Sequence, residues 1–322
     1  MSDMACPICD ASIAPVELGK VILVYGAEHR LVECRDCRVI RFDPLPTIDQ
    51  LQRFYAAPYY DFDRGKEEGK GMAFAGRLKR WRKTGRFLDV GCATGFFING
   101  IHKHSEWDVH GVEFGESAVR YARDELGLDV KHGDLTHAGY PDAYFDYVHI
   151  NNVLEHVLDP VGMLRECRRI VKPDGRLYLS VPNGYNDSRE IVDFHRLENQ
   201  PSLSNKGHIF FFQARTLLEI FDRSGFLVIS KKTYGIKRGL RNLGWLPRKK
   251  NWKETYRPPA APEPEMETGK VIVTSSRKRP AIYYRYRFFE SSVRMIPGLH
   301  KFGLDLAFIL QPNAERKGKT SR

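Results

Sequence analysis

From residue 86 onward, short apolar runs alternate with amphipathic stretches. Arg86 to Val90 reads as a buried strand, the small-residue stretch Gly91-Cys92-Ala93-Thr94-Gly95 as a tight turn, and Phe96 to about His104 as a helix. The rhythm continues with a strand over Asp108 to Val112 ending at Glu113, a helix over Ser117 to Leu126 closed by Gly127, and strands over Asp129 to His132 and Phe145 to Asn151. Asp159 caps and Pro160 opens a helix through Val171. Lys172 to Gly175 is a turn and Arg176 to Val181 a fifth strand. A helix over Thr216 to Ser224 and a strand over Phe226 to Ser230 follow, and Lys270 to Ser275 has the pattern of a seventh strand. Strand–helix alternation of this kind predicts an α/β fold on an open, mostly parallel sheet.

The chain before residue 85 does not share this rhythm. Val21 to Tyr25 and Arg30 to Glu33 suit a hairpin around Gly26. Asp43-Pro44-Leu45-Pro46 is a rigid connector, and Thr47 with Gln50 reads as a capping box opening a helix through Tyr55. Tyr59-Tyr60 follow, then a glycine- and charge-rich stretch, Gly65 to Gly76, expected as a mobile crossing, and a basic helical stretch, Leu78 to Lys83. Gly184 to Gly207 is a polar insertion holding His195, of a length typical of lids and binding loops. The predicted divisions are a small module (1–45), a linker helix and Tyr-rich turn (46–84), the main domain (85–279) and a basic, aromatic extension (280–322).

Composition changes this picture at three points. The N-terminus lacks the basic and apolar regions of a signal peptide and no apolar run reaches membrane-spanning length, so a cytoplasmic protein is expected. In that compartment the six cysteines imply metal or free thiols. Four of them form two C-x-x-C pairs, Cys6/Cys9 and Cys34/Cys37, the pattern of a tetrahedral zinc ribbon; neither pair lies in a βα unit, which counts against a redox motif. The net charge of +11 permits an anionic partner, or simply a solvated basic surface.

The turn after the first strand carries the candidate chemistry. Gly91 and Gly95 let a ligand approach the backbone. A dinucleotide turn wants G-x-G-x-x-G, whereas here Ala93 and Phe96 stand at the second and third glycine positions, and Asp89 would repel a phosphate. An acid there suits a cationic ligand. The stretch resembles the first motif, D-x-G-x-G-x-G, of class I S-adenosylmethionine-dependent methyltransferases, with Ala93 as its departure. Asn152-Val153-Leu154-Glu155-His156-Val157-Leu158-Asp159-Pro160 resembles that family's x-x-L-E-H-V-x-D-P segment, and Val171-Lys172-Pro173-Asp174-Gly175 through Val181-Pro182-Asn183 is similar to another of its stretches.

The resemblance runs over roughly Cys6 to Arg279 and implies a Rossmann-like, seven-stranded sheet with an antiparallel last strand, placed at Lys270 to Ser275, and an N-terminal zinc module. It implies S-adenosylmethionine held by Asp89, Gly91, Cys92, Ala93, Gly95, Glu113, Phe114, Asp134, Leu135, Asn151 and Asn152, with Glu113 on the ribose and Asp134 on the adenine. Tyr59 and Tyr60 would fold over the cofactor. Several family members methylate sugars or other biosynthetic intermediates, so a small-molecule acceptor is expected, facing His208, His195 and His156 as candidate bases. Some members bind a divalent cation through E-x-x-E-H. Here Asn152 replaces the first acid, and a metal-independent active site is expected.

Two other classes fit the sequence less well. A nucleic-acid-binding or RNA-methylating protein would use the ribbon and the basic surface, but the aromatic and basic residues form no recognisable RNA motif. A nicotinamide dehydrogenase lacks the phosphate-turn glycine. The extension repeats Ile282, Tyr283, Tyr286, Phe289, Val293 and Ile296 at near-helical spacing among arginines, a face that can lie on a membrane or pack on its own protein.

Overall fold

A computed structural model describes residues 5–18, 22–24, 27–56, 61–184, 188, 207–236, 239–240, 272–274 and 304–314. Tyr59, Tyr60, His195, the proline-rich stretch Pro258 to Pro264 and the repeating face of the extension lie outside the described residues.

The N-terminal strands are β1 (Val16–Glu17), β2 (Ile22–Val24), β3 (Ala27–Glu33) and β4 (Ile40–Asp43). The hairpin forms between β2 and the start of β3, from Ile22–His29 to Val24–Ala27, while Arg30 to Glu33 pairs with β4. The capping box is present at α1 (Ile48–Ala56): Thr47 N–H donates to Gln50 Oε1 at 2.7 Å and Gln50 N–H to Thr47 Oγ1 at 3.3 Å.

After β5 (Asp61–Asp63), the stretch expected to be a mobile crossing is instead an ordered helix, α2 (Arg64–Trp81). Its N-cap is Asp63, which accepts from Lys66 N–H, and it buries Gly71, Phe74, Ala75 and Leu78. The glycines misled because one of them serves packing. A Cβ on Gly71 would stand 2.0 Å from the Phe97 carbonyl oxygen, and one on Gly100 would stand 2.2 Å from the Glu68 carbonyl oxygen. Reciprocal glycines thus bring α2 and α3 (Phe96–His104) into near backbone contact.

The main sheet contains β6 (Thr84–Val90), β7 (Glu106–Glu113), β8 (Asp129–His132), β9 (Phe145–Asn151) and β10 (Val171–Pro182), all parallel, with α4 (Glu116–Asp124) and α5 (Pro160–Ile170) between them. The turn expected at Lys172 to Gly175 is absorbed into β10 as an irregularity between Val171 and Arg176. The short β11 (Phe210–Phe211), α6 (Ala214–Arg223) and β12 (Phe226–Tyr234) follow.

The antiparallel strand is not where it was expected. Ile272–Thr274 (β13) pairs in parallel with β5, outside the main sheet. The strand that completes the sheet is β14 (Asp305–Pro312), antiparallel to both β10 and β12, giving the order β12-β14-β10-β9-β6-β7-β8. Its Leu306, Phe308 and Leu310 are buried, so the extension supplies core and a domain ending at 279 would leave the sheet open. Each such side chain contributes about 2 kcal/mol by burial.

The N-terminal module does not stand apart either. Antiparallel β11 adds to β4, completing a five-stranded sheet. Ile8, Cys37 and Val39 share one buried core with Leu217 and Phe221 of α6. Thr216 Oγ1 donates to the Cys37 carbonyl at 2.8 Å, and Arg223 to the Ile8 carbonyl at 2.6 Å.

The α2–α3 contact makes a paired prediction. Gly69 has open space where a Cβ would go. Gly69→Ala should therefore raise stability by up to about 1 kcal/mol, as helix propensity dictates. Gly71→Ala should lower it by about 2 kcal/mol or more, because the obstructing atom is backbone. Urea unfolding of the two variants checks this, and equal midpoints would contradict the close approach.

Candidate active site

The order of strands places a crevice. The chain leaves β6 toward β7 on one side and reaches β9 on the other, so the sheet reverses direction between β6 and β9. Ligands of open α/β sheets bind outside the carboxyl ends at such a point. Val90 pairs with Ile150 there, which sets the turn Gly91 to Gly95 beside Asn151 and Asn152. Both asparagines are exposed, and Asn152 has φ of 57°.

The turn has the backbone its composition demands. Gly91 and Gly95 have φ of 73° and 77°, and Ala93 has 48°. A Cβ on Gly91 would meet Val153 Cγ2 at 2.4 Å. Substitution of Gly91 by valine therefore disrupts the fold, and its effect on a ligand would not isolate a binding role.

Acids surround the turn. Glu113 is buried; its Oε2 accepts from Ala93 N–H at 2.9 Å and its Oε1 from Gly115 N–H at 2.8 Å. Asp89 is also buried, and its Oδ1 lies 2.6 Å from His149 Nδ1, on the sheet face beneath α2 and α3. The His149 ring is stacked between Phe97 and Tyr178. Burial, then the charges of Glu113 and Asp89, push the Cys92 thiol well above its usual range. The turn is thus electronegative, which disfavours a phosphate and favours a cation.

The remaining expected cofactor residues divide. Phe114 is partly exposed and meets the edge of Tyr55, with ring centroids 6.0 Å apart. Leu135 is buried in the core, so its backbone alone can face a ligand. Asp134 caps a helical turn and accepts from His137 N–H at 3.0 Å. Against the cost of partial burial, hydrogen bonds from Thr136 and His137 hold its carboxyl below the usual range.

A second group sits where the short helical turn Leu154–His156 after β9 meets β11. Ile209 N–H donates to the Glu155 carbonyl at 2.8 Å, bringing His208 beside His156 with ring centroids 4.9 Å apart. His156 Nδ1 donates to the Gly207 carbonyl at 2.8 Å and lies 2.9 Å from the Tyr55 hydroxyl. His156 Nε2 is 3.8 Å from Glu155 Oε1, and His208 Nε2 is 4.0 Å from the same oxygen. The structure therefore unites His156 and His208 and adds Tyr55. Tyr55 was missed because its signal, an aromatic at the end of a capped helix, is also that of packing.

At the other end of the module, Cys6, Cys9, Cys34 and Cys37 converge. The Cys6–Cys37 and Cys9–Cys34 sulfurs are 3.8 and 3.6 Å apart. A tetrahedral ion with Zn–S bonds of about 2.3 Å requires sulfurs roughly 3.8 Å apart, so the set fits zinc.

Comparison with known proteins agrees with this geometry. The family described as "Methyltransferase domain" matches residues 65–231. The chain belongs to that family, the S-adenosylmethionine-dependent methyltransferases of class I fold. A ubiquinone biosynthesis O-methyltransferase of Pseudomonas aeruginosa is 33% identical over 104 residues, 30% of this chain and 44% of the relative. A "Probable S-adenosylmethionine-dependent methyltransferase" of Mycolicibacterium smegmatis is 29% identical over 153 residues, 47% of this chain and 55% of the relative. The chain thus spans about half the length of the curated relatives it matches. A solved S-adenosylmethionine-dependent methyltransferase from Mesorhizobium loti aligns with TM-score 0.46 at 16% identity, over 76% of this chain and 99% of the other.

The one left-handed alanine in the turn gives a direct test. A non-glycine residue in that region costs about 1 kcal/mol. Ala93→Gly should raise the unfolding free energy by up to that amount, read by chemical denaturation; a loss of stability would show that Ala93 is not strained.

Proposed function

We propose that the protein transfers a methyl group from S-adenosylmethionine to a small biosynthetic acceptor such as a sugar or a glycan or lipid intermediate. The observation that carries the reading is the electronegative glycine turn at the β6/β9 switch point, with Glu113 bonded across it. S-adenosylmethionine supplies a methyl already activated on a positive sulfur. The biosynthetic O-methyltransferase named among the relatives supports a small acceptor.

The roles follow from position. The Gly91–Gly95 backbone approaches the cofactor, while Glu113, oriented by the Ala93 and Gly115 amides, accepts from a ribose hydroxyl. Asp134 and the Leu135 backbone border the adenine, and Asn151 and Asn152 the methionine end. Alignment of the acceptor in line with the methyl accounts for much of the rate. The acceptor's proton leaves toward the group of Glu155, His156 and His208, in which the Gly207 carbonyl fixes the His156 ring and makes Nε2 its basic nitrogen. The four cysteines hold one structural zinc.

Calorimetry tests the cofactor assignment. S-adenosylhomocysteine should bind and NAD should not. Glu113→Gln should weaken binding tenfold or more, about 1.4 kcal/mol, while His208→Ala leaves it nearly unchanged. Binding of NAD in preference to the adenosyl ligand would refute the reading.

A further inference from the structure

The structure assigns a second binding site to this chain, for a small aromatic carboxylate, on the face of the main sheet beside α2. The site does not rest on the methyltransferase reading.

Strand register builds its floor. Tyr178 of β10 pairs with Ile309 of β14, which pairs with Ser230 of β12, and the next row of that face is Ser180, Ala307 and Lys232. The alternate residue Phe308 turns to the other face, where its ring meets Phe221 of α6 with centroids 5.0 Å apart. On the near face α2 supplies Arg77 and Trp81 as a side wall, and a cavity of about 130 Å³ opens between them and the strands. Drug-sized ligands occupy pockets of roughly 300 Å³ or more, so this one suits a single ring with its substituent. None of the described residues lining it belongs to the Gly91–Gly95 turn, and Glu113 is not among them.

The lining decides the ligand. Its charged side chains are Arg77, Arg176 and Lys232, and among the described residues no carboxylate lines it. Among those residues none of the three cations pairs with an acid, whereas Arg82, Arg169 and Arg223 each do. The two guanidiniums rest over rings instead: Arg77 Cζ lies 4.5 Å from the centroid of Phe74, and Arg176 Cζ lies 4.6 Å from that of Trp81. A guanidinium laid over a ring keeps N–H groups at its edge, and that edge matches a carboxylate in a bidentate pair. Arg77 and Lys232 are exposed and mark the mouth, while Arg176 is half-buried. Burial pushes the Tyr147 hydroxyl above its usual range and the Arg77 and Arg176 charges oppose that shift, so both cations act on the floor of the pocket.

Trp81, Tyr147 and Tyr178 give the same pocket an aromatic surface. Ring-on-ring contacts are worth about 1 kcal/mol each beyond the area they bury. An inorganic anion would leave these rings unused, and a neutral ring would leave the guanidiniums unpaired. A ring bearing a carboxylate satisfies both.

Benzoate is the probe, titrated into isotope-labelled full-length protein and read by NMR at the Trp81 indole N–H, a signal identified by its loss in Trp81→Phe. That signal should move and saturate. Benzamide keeps the ring without the charge, and inorganic phosphate keeps the charge without the ring; each should bind at least tenfold more weakly than benzoate. Joint substitution of Arg77→Gln and Arg176→Gln should weaken benzoate at least tenfold, with an unfolding midpoint close to that of the parent. Lys232→Gln, at an exposed position, should weaken it at least threefold and reads the same point should the double variant lose stability. Calorimetry with S-adenosylhomocysteine should give the same affinity for the double variant as for the parent. No saturable shift in the parent, benzamide or phosphate binding as well as benzoate, or benzoate binding that survives all three substitutions overturns the site. Failure of the adenosyl ligand to bind the parent would instead strike only the methyltransferase reading.

Discussion

The antiparallel pairing of two dipeptides, Ile40–Arg41 with Phe210–Phe211, joins the two halves of the molecule. Phe42 N–H donates to the Ile209 carbonyl, and Ile209 N–H to the Glu155 carbonyl, so one residue ties the cysteine-bearing sheet to the end of β9. Phe210, Phe211 and Phe212 are all buried, each contributing about 2–3 kcal/mol. Those side chains, more than the hydrogen bonds, set the strength of the joint, because a backbone bond is worth only about 1 kcal/mol net. His208 is carried into the crevice by this joint. The small module is therefore packed directly against the His156–His208 pair, and a zinc ion on its cysteines would act on that pair through β4.

Close packing and charge divide the labour on the other wall. The Gly71–Gly100 approach seats α2 against α3, and Phe74 of α2 then meets the ring of His149, which pairs with Asp89. The glycine turn rests on this layer. Its carboxylates are held in place by their hydrogen-bonding neighbours: His149 for Asp89, and the Ala93 and Gly115 amides for Glu113. A cation binding at the turn meets charge already oriented, with little reorganisation to oppose it.

Much of this was legible in the chain. The strand Phe145–Asn151, the helix Phe96–His104 and the Asp159–Pro160 helix start follow from patterns that local physics determines: apolar runs, glycine turns and a cap. The paired cysteines announced their own convergence. What sequence could not give was set at a distance. Gly71 looks like a helix breaker until Phe97 is placed against it. Lys270 to Ser275 and Asp305–Pro312 are both strand-like, and the choice between them depends on which apolar face β10 and β12 accept. Tyr55 looks like a packing aromatic in sequence, and its approach to His156 appears only when α1 is placed against the turn after β9; His208 stood out as a candidate base, but its closeness to His156 depends on the chain pairing at β11.

The claim that the module positions the active site is tested most directly by hydrogen exchange at the Ile209 amide. That amide is buried and bonded to the Glu155 carbonyl in the intact protein. In Cys34→Ser, which removes one of the four converging thiols, its protection should fall by at least tenfold together with that of Phe42, while amides within β7 keep theirs. Undiminished protection at Ile209 in that variant would show that His208 is held by the main sheet alone, and would contradict the account.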